Sequence, residues 1–161
     1  MKQQKSLIAS SEWLSAAAHE AGHAVVASLR GFPVRSLRLW SENGGVAGMA
    51  SIDINERTTD PEEINGYLLV SVAGHEAQAR WATEREGHRN LFGFRDHGSA
   101  LDLTRAGCRH DLDLFHQMRR RHPAALTEAA ARTHARILLR RHWPRLQRLA
   151  TRLARAKHLT Y

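Results

Sequence analysis

The chain has one cysteine, Cys108, and four prolines among its 161 residues, and aromatic side chains make up only 6% of it. A lone cysteine closes no intrachain disulfide, so a metal site built within the chain has to rely on histidines and carboxylates. No apolar run approaches the roughly 20 residues that span a bilayer, and residues 1–10 lack an apolar stretch of signal-peptide length, so the expected setting is soluble and cytoplasmic. Wholesale disorder is excluded, because 42% hydrophobic and 25% charged residues are globular proportions. At this length one domain with a proper core is expected, with residues 1–10 as a polar arm and 11–161 as the folded unit.

Lysine is also scarce, at Lys2, Lys5 and Lys157 only, yet the formal charge is +8 because arginine supplies the rest. The excess is uneven: residues 105–161 carry 14 Arg or Lys against three acids, Asp111, Asp113 and Glu128. Such a region suits nucleic acid or an acidic partner, and it equally suits the solvated faces of amphipathic helices, since the arginines fall between regularly spaced leucines.

Patterning predicts an α+β, helix-dominated fold with one small sheet. A helix is expected over 11–30, with Ser10 or Ser11 as its cap and Gly31 and Pro33 as its stop. Val34–Trp40 and Val46–Ile54 read as strands of a hairpin around Asn43-Gly44. Asp60-Pro61-Glu62-Glu63 combines an N-cap, a proline in the first turn and early acids, opening a long helix towards Gly87. A glycine-containing loop is expected over Gly87–Gly98, and helices over Ser99–Arg121, Pro123–Arg141 and Trp143–Lys157.

Chemistry is concentrated in His19-Glu20-Ala21-Gly22-His23. Two histidines four apart lie on one helix face, so both imidazoles can reach one Zn²⁺. Glu20, turned about 100° round the helix from His19, can approach a metal-bound water without ligating, as a general base does. Gly22 costs the helix about 1 kcal/mol relative to alanine, which implies that something packs closely against that turn. The third ligand is open on spacing alone. Leu29 and Val26 stand where a metzincin needs histidine and glycine, which excludes that class. Glu76, Asp96, His97 and Asp102 remain as candidates.

Ala18-His19-Glu20-Ala21-Gly22-His23-Ala24 resembles the zinc-site helix of the FtsH-type peptidases, the protease domain of membrane-bound AAA+ proteases. Pro33–Ile54 is similar to the two strands that follow it in that family, Val72–Ala79 to its G-G-R-x-A-E-E helix, and Gly98–Ala106 to its G-A-x-x-D-L-x-x-A segment. Ile137–Leu159, with its His158-Leu159-Thr160 ending, resembles the last helix. The resemblance implies an FtsH-peptidase-like fold, Zn²⁺ as cofactor, His19, His23 and Asp102 as metal ligands, and Glu20 as base. Two departures stand out. His75-Glu76 and Gln78-Ala79 replace the usual Gly-Arg and Glu-Glu, and the chain has no G-x-x-x-x-G-K-[ST] phosphate loop.

The expected activity is therefore zinc-dependent hydrolysis of flexible or unfolded polypeptide without ATP. Expected partners are the polypeptide substrate, a separate ATPase or unfoldase, and further copies of the chain. The alternative is a basic module that binds nucleic acid or an acidic partner around a structural or vestigial zinc site.

Overall fold

The computed structural model describes residues 2–161, with side chains from Ser11 onward. The side chains of residues 1–10, the expected polar arm, lie outside what is described. In chain order the elements are α1 (Lys2–Leu29), β1 (Val34–Glu42), β2 (Gly45–Ile52), α2 (Pro61–Glu84), α3 (His97–Thr104), a 3₁₀ turn (Arg105–Cys108), α4 (Arg109–Arg121), α5 (Glu128–Arg141), α6 (Trp143–Ala156) and β3 (His158–Thr160). The fold is α+β and helix-dominated, and no helix among the described residues is long and apolar enough to cross a membrane.

α2 is the axis of the molecule. Asp60 caps it as the sequence suggests, its carboxylate accepting from the Glu62 backbone N–H at 2.8 Å. From Tyr67 to Ala77 every residue of the helix is buried, because α1, α3, α4 and α5 all pack on it. α1 meets α2 through small residues, Ala17, Ala18, Ala21 and Gly22. A Cβ on Gly22 would lie 2.6 Å from the Ala73 carbonyl oxygen and 2.6 Å from the Ala77 Cβ, so the glycine sets how closely the two helices approach. Gly22→Ala is accordingly expected to destabilise the fold by about 1–3 kcal/mol despite alanine's better helix propensity, read as a lower thermal midpoint. An unchanged or raised midpoint would mean that the helices separate freely.

The hairpin forms as expected. Asn43 (φ 49°) and Gly44 (φ 82°) supply the two left-handed residues of a tight turn, and Glu42 pairs with Gly45 across it. Leu37 and Leu39 of β1 point into the core while Arg38 and Trp40 face outward. The sheet has a third strand that the sequence hides. Lys157, in the left-handed region (φ 62°), ends α6, and His158–Thr160 then pairs antiparallel with Ser36–Arg38, giving the order β2-β1-β3. The end of the chain is thus a strand and not the end of a helix; Leu159, buried against the core, is its anchor.

Three helix assignments also differ. The span Ser99–Arg121 is broken into α3, the 3₁₀ turn and α4, the break falling at Ala106-Gly107-Cys108. α5 starts at Glu128 and not at Pro123, because the Thr127 hydroxyl caps it by accepting from the Ala130 N–H at 3.2 Å. α1 is continuous through the expected cap at Ser10 or Ser11, in a stretch with no glycine or proline to stop it.

Candidate metal centre

His19, Glu20 and His23 share the most buried stretch of α1 and are each about 7% or less exposed. Their neighbours are shaped around them. A Cβ on Gly74 of α2 would run into the Nε2 atoms of both histidines, and a Cβ on Gly48 of β2 would lie 2.6 Å from Glu20 Oε1. A side chain at either position would fill the space that these groups occupy.

Both imidazoles are held from behind. His23 Nδ1 lies 2.7 Å from the Val70 carbonyl oxygen, and His19 Nδ1 lies 3.1 Å from Gln78 Oε1, whose amide NH₂ in turn donates to Ser15 Oγ at 3.1 Å. An N–H at Nδ1 satisfies each of these acceptors, leaving both Nε2 lone pairs free and directed at one point. The Nε2 atoms are 3.0 Å apart, and one oxygen of Asp111 lies 2.9 Å from that of His19 and 3.3 Å from that of His23. These three ligand atoms lie within 4.8 Å of one another, the only such group of histidine, cysteine or acidic side chains among the described residues.

The electrostatics favour a cation there. Burial opposes protonation of His23, but the carboxylates of Asp111 and Glu20 outweigh it and lift its pKa to about 9. Asp111 is held well below the usual carboxylate range by the two histidines, against the opposing effect of its burial. A metal ion would take the place of the proton on His23, and the two Nε2 atoms with one carboxylate form a donor set that fits Zn²⁺ and leaves a coordination position open. Cys108 does not contribute. Its thiol is buried, donates to the Arg105 carbonyl at 3.1 Å, and is pushed up to about 11 by that burial.

Asp111 stands where Asp102 was expected. Asp102 projects from α3 with 77% of its side chain in solvent, 3.7 Å from Arg105, whereas the Asp111 side chain is 21% exposed on the first turn of α4. The physical reason is the break at the 3₁₀ turn, which carries α4, and not α3, up to the histidines. A signal was present in the sequence, because Gly98-x-x-x-Asp102-Leu103 is repeated as Gly107-x-x-x-Asp111-Leu112, and only the second copy faces the centre. The other candidates are engaged elsewhere. Glu76 is buried on α2, ion-paired with His97 at 2.6 Å and Arg132 at 2.9 Å, and these partners keep it ionised in spite of its burial. Asp96 caps α3 by accepting from the N–H groups of Gly98 and Ser99.

Glu20 does not join the cluster of ligand atoms. Burial pushes its carboxyl up, against the opposing pull of His19 and His23, and it accepts a backbone hydrogen bond from Ala50. A cleft of about 400 Å³ opens over the centre, lined by His19, Glu20, His23 and Asp111 on one side and by Gly48–Ala50 of β2 on another.

No curated protein matches this chain. The profile of the Peptidase M50B-like family matches residues 3–83, a span that includes α1 with both histidines and Glu20, the hairpin, and nearly all of α2. The match ends before α3 and reaches neither Asp102 nor Asp111. It takes in half of the sequence, and the chain belongs to the Peptidase M50B-like family of metallopeptidases.

Proposed function

We propose that the chain is a zinc-dependent endopeptidase in which His19, His23 and Asp111 hold the metal and Glu20 is the general base. The observation that carries this reading is the gathering of the two Nε2 atoms and the Asp111 oxygen within 4.8 Å of one another, beside a fourth group, the buried Glu20 carboxylate. Zinc bound there would supply Lewis acidity and lower the pKa of a coordinated water towards 7. Glu20, desolvated and fixed under Gly48, takes the proton of the attacking water and returns it to the amide nitrogen of the departing segment. The nearby β2 is an edge strand, and its Gly48–Ala50 stretch offers backbone groups to an extended peptide lying in the cleft.

The finer resemblance to the FtsH-type peptidases rests on His19–Ala24 alone, because the Gly98–Ala106 segment that resembles the ligand segment of that family does not face the histidines. With no phosphate loop on the chain, hydrolysis of an already flexible substrate needs no ATP.

Casein and a fluorogenic peptide library test the reading. The expected result is cleavage at the same rate with and without ATP, stopped by phenanthroline and restored by added zinc. Cleavage that survives complete removal of zinc, or none with zinc restored, contradicts it.

A further inference from the structure

The loop between α2 and α3 displays large apolar side chains to water. Leu91 is 103% exposed, Phe92 84% and Phe94 69%. A cluster of this kind marks an interaction site more often than idle surface. The display is built in. Asn90 Oδ1 accepts from the N–H groups of Phe92 at 3.0 Å and Phe94 at 3.1 Å, the Asn90 N–H donates to the Phe94 carbonyl at 2.8 Å, and Gly93 N–H donates to the Asn90 carbonyl at 2.9 Å. Arg89 adds a bond to the Gly93 carbonyl at 2.7 Å. At the foot of the loop, His88 Nε2 lies 2.6 Å from Ser99 Oγ, and His97 is tied to buried Glu76. A closed, hydrogen-bonded turn therefore holds the three side chains outward.

Beside that foot lies a cationic cavity of about 500 Å³, lined by Arg80, Arg95, His97, Arg136 and Arg140. Its acids are already committed: Glu76 to His97, Arg132 and Arg136, and Glu84 to Arg80. Arg95 follows Phe94 directly, so the apolar tip and the cationic rim are continuous.

We propose that this loop docks the protein on the surface of an anionic lipid bilayer, with Leu91, Phe92 and Phe94 in the headgroup–acyl boundary and Arg89, Arg95 and Arg140 over acidic headgroups. Such a surface offers both an apolar layer and negative charge, which together match the tip and its rim. A second copy of the chain matches only the tip, because two loops meeting face to face would bring their arginines together. The bilayer contact is independent of the metal centre.

Co-sedimentation of the full chain with vesicles tests the proposal, using phosphatidylcholine alone and an equimolar mixture with phosphatidylserine. The protein should pellet with the mixed vesicles, less so at high salt, and little with phosphatidylcholine alone. F92S/F94S should weaken partitioning by at least about tenfold, and R95Q/R140Q by roughly fivefold for each arginine. Both variants change exposed positions, and a parental circular dichroism spectrum checks that they fold. Absence of pelleting with mixed vesicles overturns the proposal, as does F92S/F94S binding like the parent. So does a parental oligomer in sedimentation velocity that F92S/F94S dissolves while neither protein binds vesicles, since the loop would then be a self-interface.

Discussion

Glu20→Gln is expected to keep its zinc and to lose hydrolysis by about 10²–10⁴-fold in kcat, the range for removing a general base. The amide has the size of the carboxylate, so it fits beneath Gly48, where a Cβ would already lie within 2.6 Å of Glu20 Oε1. It can still accept from Ala50. What it cannot do is take a proton from water. Zinc affinity should fall modestly, because one of the negative charges near His19 and His23 is gone, but the three ligand atoms are untouched. The two readouts separate the possibilities. Loss of both zinc and activity would make Glu20 a ligand or a structural group, and retention of most activity would remove it from the proposed mechanism.

The first half of the fold was legible because its signals are local. The Asp60 cap, the Asn43-Gly44 turn and the histidine spacing on α1 each depend on residues within a few positions of one another. Gly22 was legible as a packing contact for the same reason: its cost to the helix shows in the sequence, although its partner, the Ala73–Ala77 face of α2, does not. The strand His158–Thr160 was not legible. Three residues carry no periodicity, and their pairing with Ser36–Arg38 is decided by where α6 delivers the end of the chain.

Asp111 was hidden for a related reason. Leucines and alanines on both sides make residues 99–121 read as one helix, and an isolated Gly107 is a weak local sign of the 3₁₀ turn at Arg105–Cys108. Two copies of Gly-x-x-x-Asp-Leu then look alike, and only the redirected chain makes one of them face the histidines. Gln78 was seen as a departure from a family pattern. In the structure it is the acceptor behind His19 Nδ1, a contact across 59 positions that no local rule reports.

Competitive zinc titration of Asp111→Ala and Asp102→Ala, side by side with the parent, tests the proposed centre most directly. Removing a group that only orients a ligand typically costs 10–100-fold in affinity, so loss of the carboxylate ligand should exceed about 100-fold. Asp111→Ala leaves His19 and His23 without the oxygen that now lies 2.9 and 3.3 Å from their Nε2 atoms. Asp102→Ala removes a side chain that is 77% exposed and lies 3.7 Å from Arg105, away from the histidines, and zinc binding should match the parent. Both positions are on helix surfaces, which alanine suits, so folding is expected to survive in each. The predicted result is an emptied site in Asp111→Ala and a full one in Asp102→Ala. The reverse result, or equal zinc affinity in all three proteins, would contradict the assignment of His19, His23 and Asp111 as the metal centre.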